Sequence, residues 1–211
     1  MIGLVPVWLD PQVIIERGGL WLAALIIFAE SGLMFGFFLP GDSLLFVAGF
    51  LASKPEGLPH LDQPLPVVLA VMFVAATSGD QVGYLIGRRV GPLLFDRPRS
   101  RLFRPEHVER ANEFFERHGS KTIVLARFVP IVRTFAPIVA GVGRMHYRTF
   151  VLFNLLGGFL WAVGVTTAGY YLGQIAVVRD HVELAALAVV AISLVPIVIE
   201  GLRHRRARSR A

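Results

Sequence analysis

Cysteine is absent from the 211-residue chain. That excludes disulfide frameworks, thiolate zinc sites, iron–sulfur clusters and cysteine nucleophiles. Histidine is sparse: His60, His107, His118, His146, His181 and His204 are scattered with no His-x-x-x-His pair, so no metal site is expected. Lysine occurs twice, as Lys54 and Lys121. Charge of either sign is scarce, at 17% of residues. Soluble domains carry about 25%, so an ordinary soluble globule is excluded. The 55% hydrophobic content excludes disorder. There is no Gly-x-x-x-x-Gly-Lys loop to cradle a nucleotide phosphate, and no Lys/Arg, Ser-Gly-His and His set of the phosphatase kind. Neither an enzyme nor a cofactor is expected. The start, MIGLVPVWLDP, lacks a basic stretch, so a cleavable leader is not expected either.

What is present is long apolar runs. Thr149 to Val178 holds 30 residues without a charge. As a straight helix it would reach about 45 Å, more than the ~30 Å hydrocarbon core, so it must tilt, bend near Gly157-Gly158 or protrude. Residues 65–87 form a second run whose only charge is Asp80, closed by Arg88 and Arg89. Leu184 to Ile199 is a third run, ahead of a tail with five arginines, and predicts a last span over 184–202. Removing those five arginines lowers the net charge from +6 to +1, so the basic excess reads as a membrane flank and not as a nucleic-acid surface.

Two further regions, 20–52 and 122–143, are apolar but carry charge inside. The first holds Glu30 and Asp42 and breaks at Leu39-Pro40-Gly41. The second holds Arg127 and Arg133 and contains Pro130 and Pro137. Proline removes a backbone donor and clashes with the preceding turn. The pieces left are too short to cross a bilayer, which predicts two re-entrant helical hairpins. Residues 96–121 are polar, and the stretch from Pro105 reads as a surface helix with Glu106–Arg110 and Glu113–Arg117 at i,i+4 spacing.

Arginine-rich loops at 88–121 and 144–148 and the tail at 203–211 predict a cytoplasmic face, with 53–64 and 179–183 outside. Residues 1–19 carry too little charge bias to be placed. The two halves share an order of signals. Phe38-Leu39-Pro40, Asp42, Val47-Ala48-Gly49 and Gly83-Tyr84-Leu85-Ile86-Gly87 are echoed by Phe128-Val129-Pro130, Arg133, Val139-Ala140-Gly141 and Gly169-Tyr170-Tyr171-Leu172-Gly173. One hairpin plus one crossing per half would invert the second unit relative to the first, an arrangement used by transporters. The expected fold is therefore an all-α membrane domain over 20–178: an inverted repeat of hairpin plus transmembrane helix, followed by a C-terminal transmembrane helix. The Gly-x-x-x-Gly pairs Gly32/Gly36, Gly83/Gly87 and Gly169/Gly173 are read as close helix packing.

A charge at the bilayer centre costs about 2.5–3.5 kcal/mol. Four unpaired ones would rival the stability of a whole domain. Glu30, Asp42, Arg127 and Arg133 are thus expected to meet in a polar chamber between the hairpins. The arginines would bind an anionic substrate. Glu30 and Asp42 would couple to protons, because desolvation disfavours the charged carboxylate. The alternative is a static ion-pair lock. Asp80, after Ser78-Gly79, is a secondary candidate, read as a cap on a broken helix.

Taken together, FAESGLMFGFFLPGDSLLFVAG (28–49), SGDQVGYLIGRRVG (78–91), FFERHGSKTIVLARFVPIVRTFAPIVAGVGRM (114–145) and NLLGGFLWAVG (154–164) resemble the DedA family, also described as the VTT or SNARE-associated domain. The resemblance covers roughly 20–173. It places the family's functional acids on Glu30 and Asp42 and its arginines on Arg127 and Arg133. Pro40-Gly41-Asp42 stands where many relatives are described with Pro-Gly-Glu, and the acid is kept. The resemblance implies a multi-pass protein of a bacterial inner membrane, linked to the proton motive force and to lipid translocation. The substrate expected is a phosphate-headed lipid, polyprenyl (undecaprenyl) phosphate or a phospholipid. A proton-coupled antiporter of small solutes is the alternative, and a homo-oligomer is possible.

Overall fold

A computed structural model of the chain describes residues 11–32, 41–55, 60–95, 121–128 and 130–175, together with 119 and 178. All regular secondary structure among the described residues is helical, with no strand. The helices are α1 (Pro11–Gly32), α2 (Gly41–Ala52), α3 (Leu65–Phe95), α4 (Thr122–Ala126), α5 (Pro130–Val142), α6 (Tyr147–Gly158), a π-helical turn at Phe159–Val163, and α7 (Gly164–Leu172). The surface helix expected within 96–121, the last span and the arginine tail lie outside the described residues, as do Gly36 and Phe38-Leu39-Pro40.

Two stretches of 26 residues are long and apolar enough to cross a membrane: Leu65–Val90, and Tyr147–Leu172 through the π turn. At 1.5 Å per residue each reaches about 39 Å and fits a ~30 Å core with tilt. Large apolar side chains point outward from these and neighbouring helices: Trp21, Leu25, Val74, Leu125, Leu152 and Phe159 are all more than half exposed. In water such a surface would be a liability, whereas against lipid it is the solvated face.

Helix α2 is the opposite case, since all twelve of its residues are buried. At about 18 Å it cannot span a bilayer. It is enclosed by α1, α3 and α7, with Phe46 and Phe50 among the largest fully buried side chains. Helix α5 lies against α3 much as α2 lies against α7. Glycine permits both crossings. A Cβ on Gly49 or Gly169 would strike the Thr166 or Phe46 carbonyl, and one on Gly141 or Gly87 would strike that of Tyr84 or Ile138. The two Val-Ala-Gly segments, 47–49 and 139–141, therefore each lie on the Gly-Tyr helix of the other half. These glycines serve packing, as expected.

Several expected breaks fall elsewhere. Helix α3 runs unbroken through Ser78-Gly79 and past Arg88-Arg89 to Phe95, so Asp80 is a mid-helix residue and not a cap. The hydroxyls of Thr77 and Ser78 bond back to the Phe73 and Val74 carbonyls, at 2.8 and 2.6 Å, within the helix. Region 122–143 does break before Pro130, but Pro137 sits inside α5. The long run from 149 ends as a helix at Leu172, short of Val178. Its irregularity is the π turn that begins directly after Gly158.

Candidate functional site

Three of the four expected residues converge on one point. The Arg133 guanidinium, on α5, donates through Nη2 to Glu30 Oε1 and through Nη1 to Asp42 Oδ1. Glu30 sits near the end of α1 and Asp42 in the first turn of α2, so one arginine ties three helices together. A Cβ on Gly41 would collide with the Glu30 carboxylate, so the backbone there must be bare for the carboxylate to lie against it. Trp161, in the π turn, donates from Nε1 to Asp42 Oδ1 at 3.0 Å. Its ring also lies 4.5 Å from Arg133 Cζ, within cation–π range. Glu30 and Asp42 are buried, and the Arg133 side chain is 13% exposed.

The fourth residue has different partners. Arg127, in the break after α4, pairs through Nη2 with Asp80 Oδ2 and donates to Asn154 Oδ1 at 2.6 Å. Asn154 in turn donates from Nδ2 to the Thr77 carbonyl at 3.1 Å. The guanidinium lies over Gly158, and its Cδ against Gly157. These two glycines thus make room for an arginine. The expected quartet is two adjoining sets: Arg133 with Glu30 and Asp42, and Arg127 with Asp80 and Asn154. Trp161 lies between them, with Arg127 Cζ 5.9 Å from its ring.

Counted as ionised groups, the two sets hold three carboxylates and two guanidiniums. Among the described residues the buried site is therefore one negative charge in excess, all of it on the Arg133 side. Arg127 Nε is buried without a partner among the described residues.

Trp161 and Asn154 were not singled out from the sequence. Both carried a signal. An indole N–H or a carboxamide within an otherwise apolar membrane run must find a partner, because no water is there to serve it.

The described residues thus form a helical membrane protein with buried ion pairs between its helices. Residues 39–171 match the VTT domain family. The chain is 47% identical over 201 residues to "Protein DedA" of Escherichia coli K12, covering 94% of this chain and 90% of that one. It is 44% identical over 211 residues to "Uncharacterized membrane protein ML0287" of Mycobacterium leprae, covering 97% and 92%. It is 34% identical over 149 residues to the E. coli K12 "Inner membrane protein YqjA", covering 71% and 65%. No solved structure matches the chain. The protein belongs to the DedA family of VTT-domain membrane proteins.

Proposed function

We propose that the protein translocates a phosphate-headed anionic lipid, such as polyprenyl phosphate or a phospholipid, between leaflets, coupled to protons and without cleaving it. The observation that carries this reading is the Arg133 cluster, where one guanidinium is held by two carboxylates. A bare buried charge is costly, so the cluster is driven toward neutrality, which it reaches by taking up a proton on Glu30 or Asp42. Protonation loosens the hold on Arg133 and frees a planar fork that suits a phosphate. Proton loss restores the pairs and expels the anion. Arg127, closed on Asp80 and Asn154 beside the same tryptophan, holds the chamber together and stays paired.

In this reading α1–α2 and α4–α5 are two re-entrant hairpins dipping from opposite faces. The reciprocal glycine crossings fit an inverted repeat that exchanges short helices between halves. The positive-inside rule then puts the C-terminus, with its 184–202 span and 203–211 tail, in the cytoplasm. A proton-coupled antiporter of small solutes would use the same cluster. The lipid reading is favoured by the exposed apolar side chains Leu125, Phe128 and Val132 beside the arginines, which open the break between α4 and α5 toward lipid.

The test is reconstitution in liposomes with a labelled polyprenyl phosphate. The expected result is movement between leaflets that depends on a pH gradient, with that dependence lost in Glu30→Gln and the movement itself lost in Arg133→Lys. If both variants insert normally and keep activity, the reading fails. Proton flux driven only by a water-soluble solute would establish the antiporter instead.

A further inference from the structure

A second charged feature lies at the far end of α3, away from the ion-pair sets. Tyr84 is fully buried, yet its hydroxyl is satisfied twice: it donates to the Met145 carbonyl at 2.5 Å and accepts from Arg88 Nη1 at 3.0 Å. Its ring stacks on Phe150 at 4.5 Å and tilts against Tyr147 at 5.5 Å. This fastens the end of one membrane stretch to the start of the other. Beside it opens a cavity of about 500 Å³ lined by Tyr84, Leu85, Arg88, Arg89 and Tyr147. That volume is within the range of small-molecule sites, about 300–1,000 Å³.

The lining carries two cations and no acid. Neither Arg88 nor Arg89 has a carboxylate partner among the described residues. Arg144 and Arg148, both exposed, flank the Met145–Tyr147 wall in the chain. Arg144 is also held in a left-handed conformation at φ 50°. It ends α5 in a Schellman turn, with Met145 N–H donating to the Ala140 carbonyl at 3.0 Å and Arg144 N–H to that of Gly141 at 3.1 Å. Glycine usually occupies this place, because a side chain there costs about 1–2 kcal/mol. Here a strained position holds a cation three residues before Tyr147 of the cavity lining.

We propose that this cavity is a binding site for the headgroup of an anionic phospholipid of the cytoplasmic leaflet. Three features fit a lipid. The site is at the end of both membrane stretches, where arginine and tyrosine side chains meet headgroups. Leu85 and Ile86 continue outward from it as exposed apolar surface for the acyl chains. Its two guanidiniums, without a carboxylate partner among the described residues, match a phosphodiester in charge and geometry. The site is separate from the Arg133 cluster and does not rest on the transport reading.

The experiment is native mass spectrometry of the full chain in neutral detergent, titrated with phosphatidylglycerol, phosphatidylcholine or inorganic phosphate. Phosphatidylglycerol binds in preference to phosphatidylcholine, and Arg88→Gln and Arg89→Gln each weaken it by about fivefold. Arg88→Lys keeps most of the affinity. Lys121→Gln, which removes an equal charge from an exposed position outside the cavity, leaves it unchanged. Equal loss in Arg88→Gln and Lys121→Gln would reduce the effect to diffuse surface charge and overturn the site. Displacement of phosphatidylglycerol by millimolar inorganic phosphate would overturn its assignment to a lipid.

Discussion

The two buried arginines make an instructive pair. Both interrupt apolar sequence, both lie beside Trp161 and both are paired, but their surroundings differ in charge. Arg127 meets one carboxylate and one carboxamide, and Asn154 passes its own hydrogen bond on to the Thr77 carbonyl. That set is neutral and closed between α3, the α4 break and α6. Arg133 meets two carboxylates from two further helices and keeps some exposure. A balanced pair has nothing to gain from a proton, whereas two carboxylates sharing one arginine do. In the proposed mechanism the same residue type therefore serves as a lock in one place and as an exchangeable site in the other, and the number of acids decides which.

The sharpest way to break this comparison is to unbalance the lock. Asp80→Asn alone, or Arg127→Gln alone, leaves a buried charge uncompensated and should cost about 3–5 kcal/mol. The double variant should recover much of that, and thermal unfolding in detergent measures both. A single variant that melts like the parent would show that Arg127 is not locked. A smaller effect comes from crowding the same set. Gly158→Ala places a methyl against Thr77 Cγ2 and beside the Arg127 guanidinium. Overpacking of this kind costs about 1–3 kcal/mol, and the variant should unfold earlier while liposome transport by the folded fraction persists.

Glu30→Gln sharpens the other side. It removes the excess charge as a proton would, so the fold should change by less than about 1 kcal/mol while the pH dependence of lipid movement flattens. The ionised state is the one lost, so the difference from the parent should be largest at high pH and shrink as pH falls. A parent-like pH profile would remove Glu30 from the coupling. A change with no expected effect on proton coupling is Trp161→Phe, which deletes the donor to Asp42 but keeps a ring under Arg133. It should cost about 1 kcal/mol, read as a small drop in melting temperature. A larger loss that also reaches the Arg127 set would show that the two sets act as one network.

Much of this was legible in the residues. Charge in an apolar run is expensive enough that Glu30, Asp42 and Arg133 had to be partnered, and opposite signs in separate segments made each the natural partner of the other. Asp80 was harder, because Ser78-Gly79 before it mimics a helix break. The structure shows those residues helical, with the Ser78 hydroxyl bonded to its own preceding turn. Pro137 misled in the same way: it lies within α5, whereas the break falls before Pro130. Local signals of this kind state what the backbone tolerates, and neighbouring helices choose.

Sequence alone determined that the chain is helical and meant for lipid, because run length, scarcity of charge and the placement of arginines are one-dimensional quantities set by bilayer thickness and the cost of ions in hydrocarbon. Which acid faces which arginine was decided only in three dimensions. Asp80 and Asp42 are both plausible partners for Arg127 by sign and cost, and only the crossings of α2 with α7 and α5 with α3, set by bare glycine backbone, bring one within reach and carry the other away.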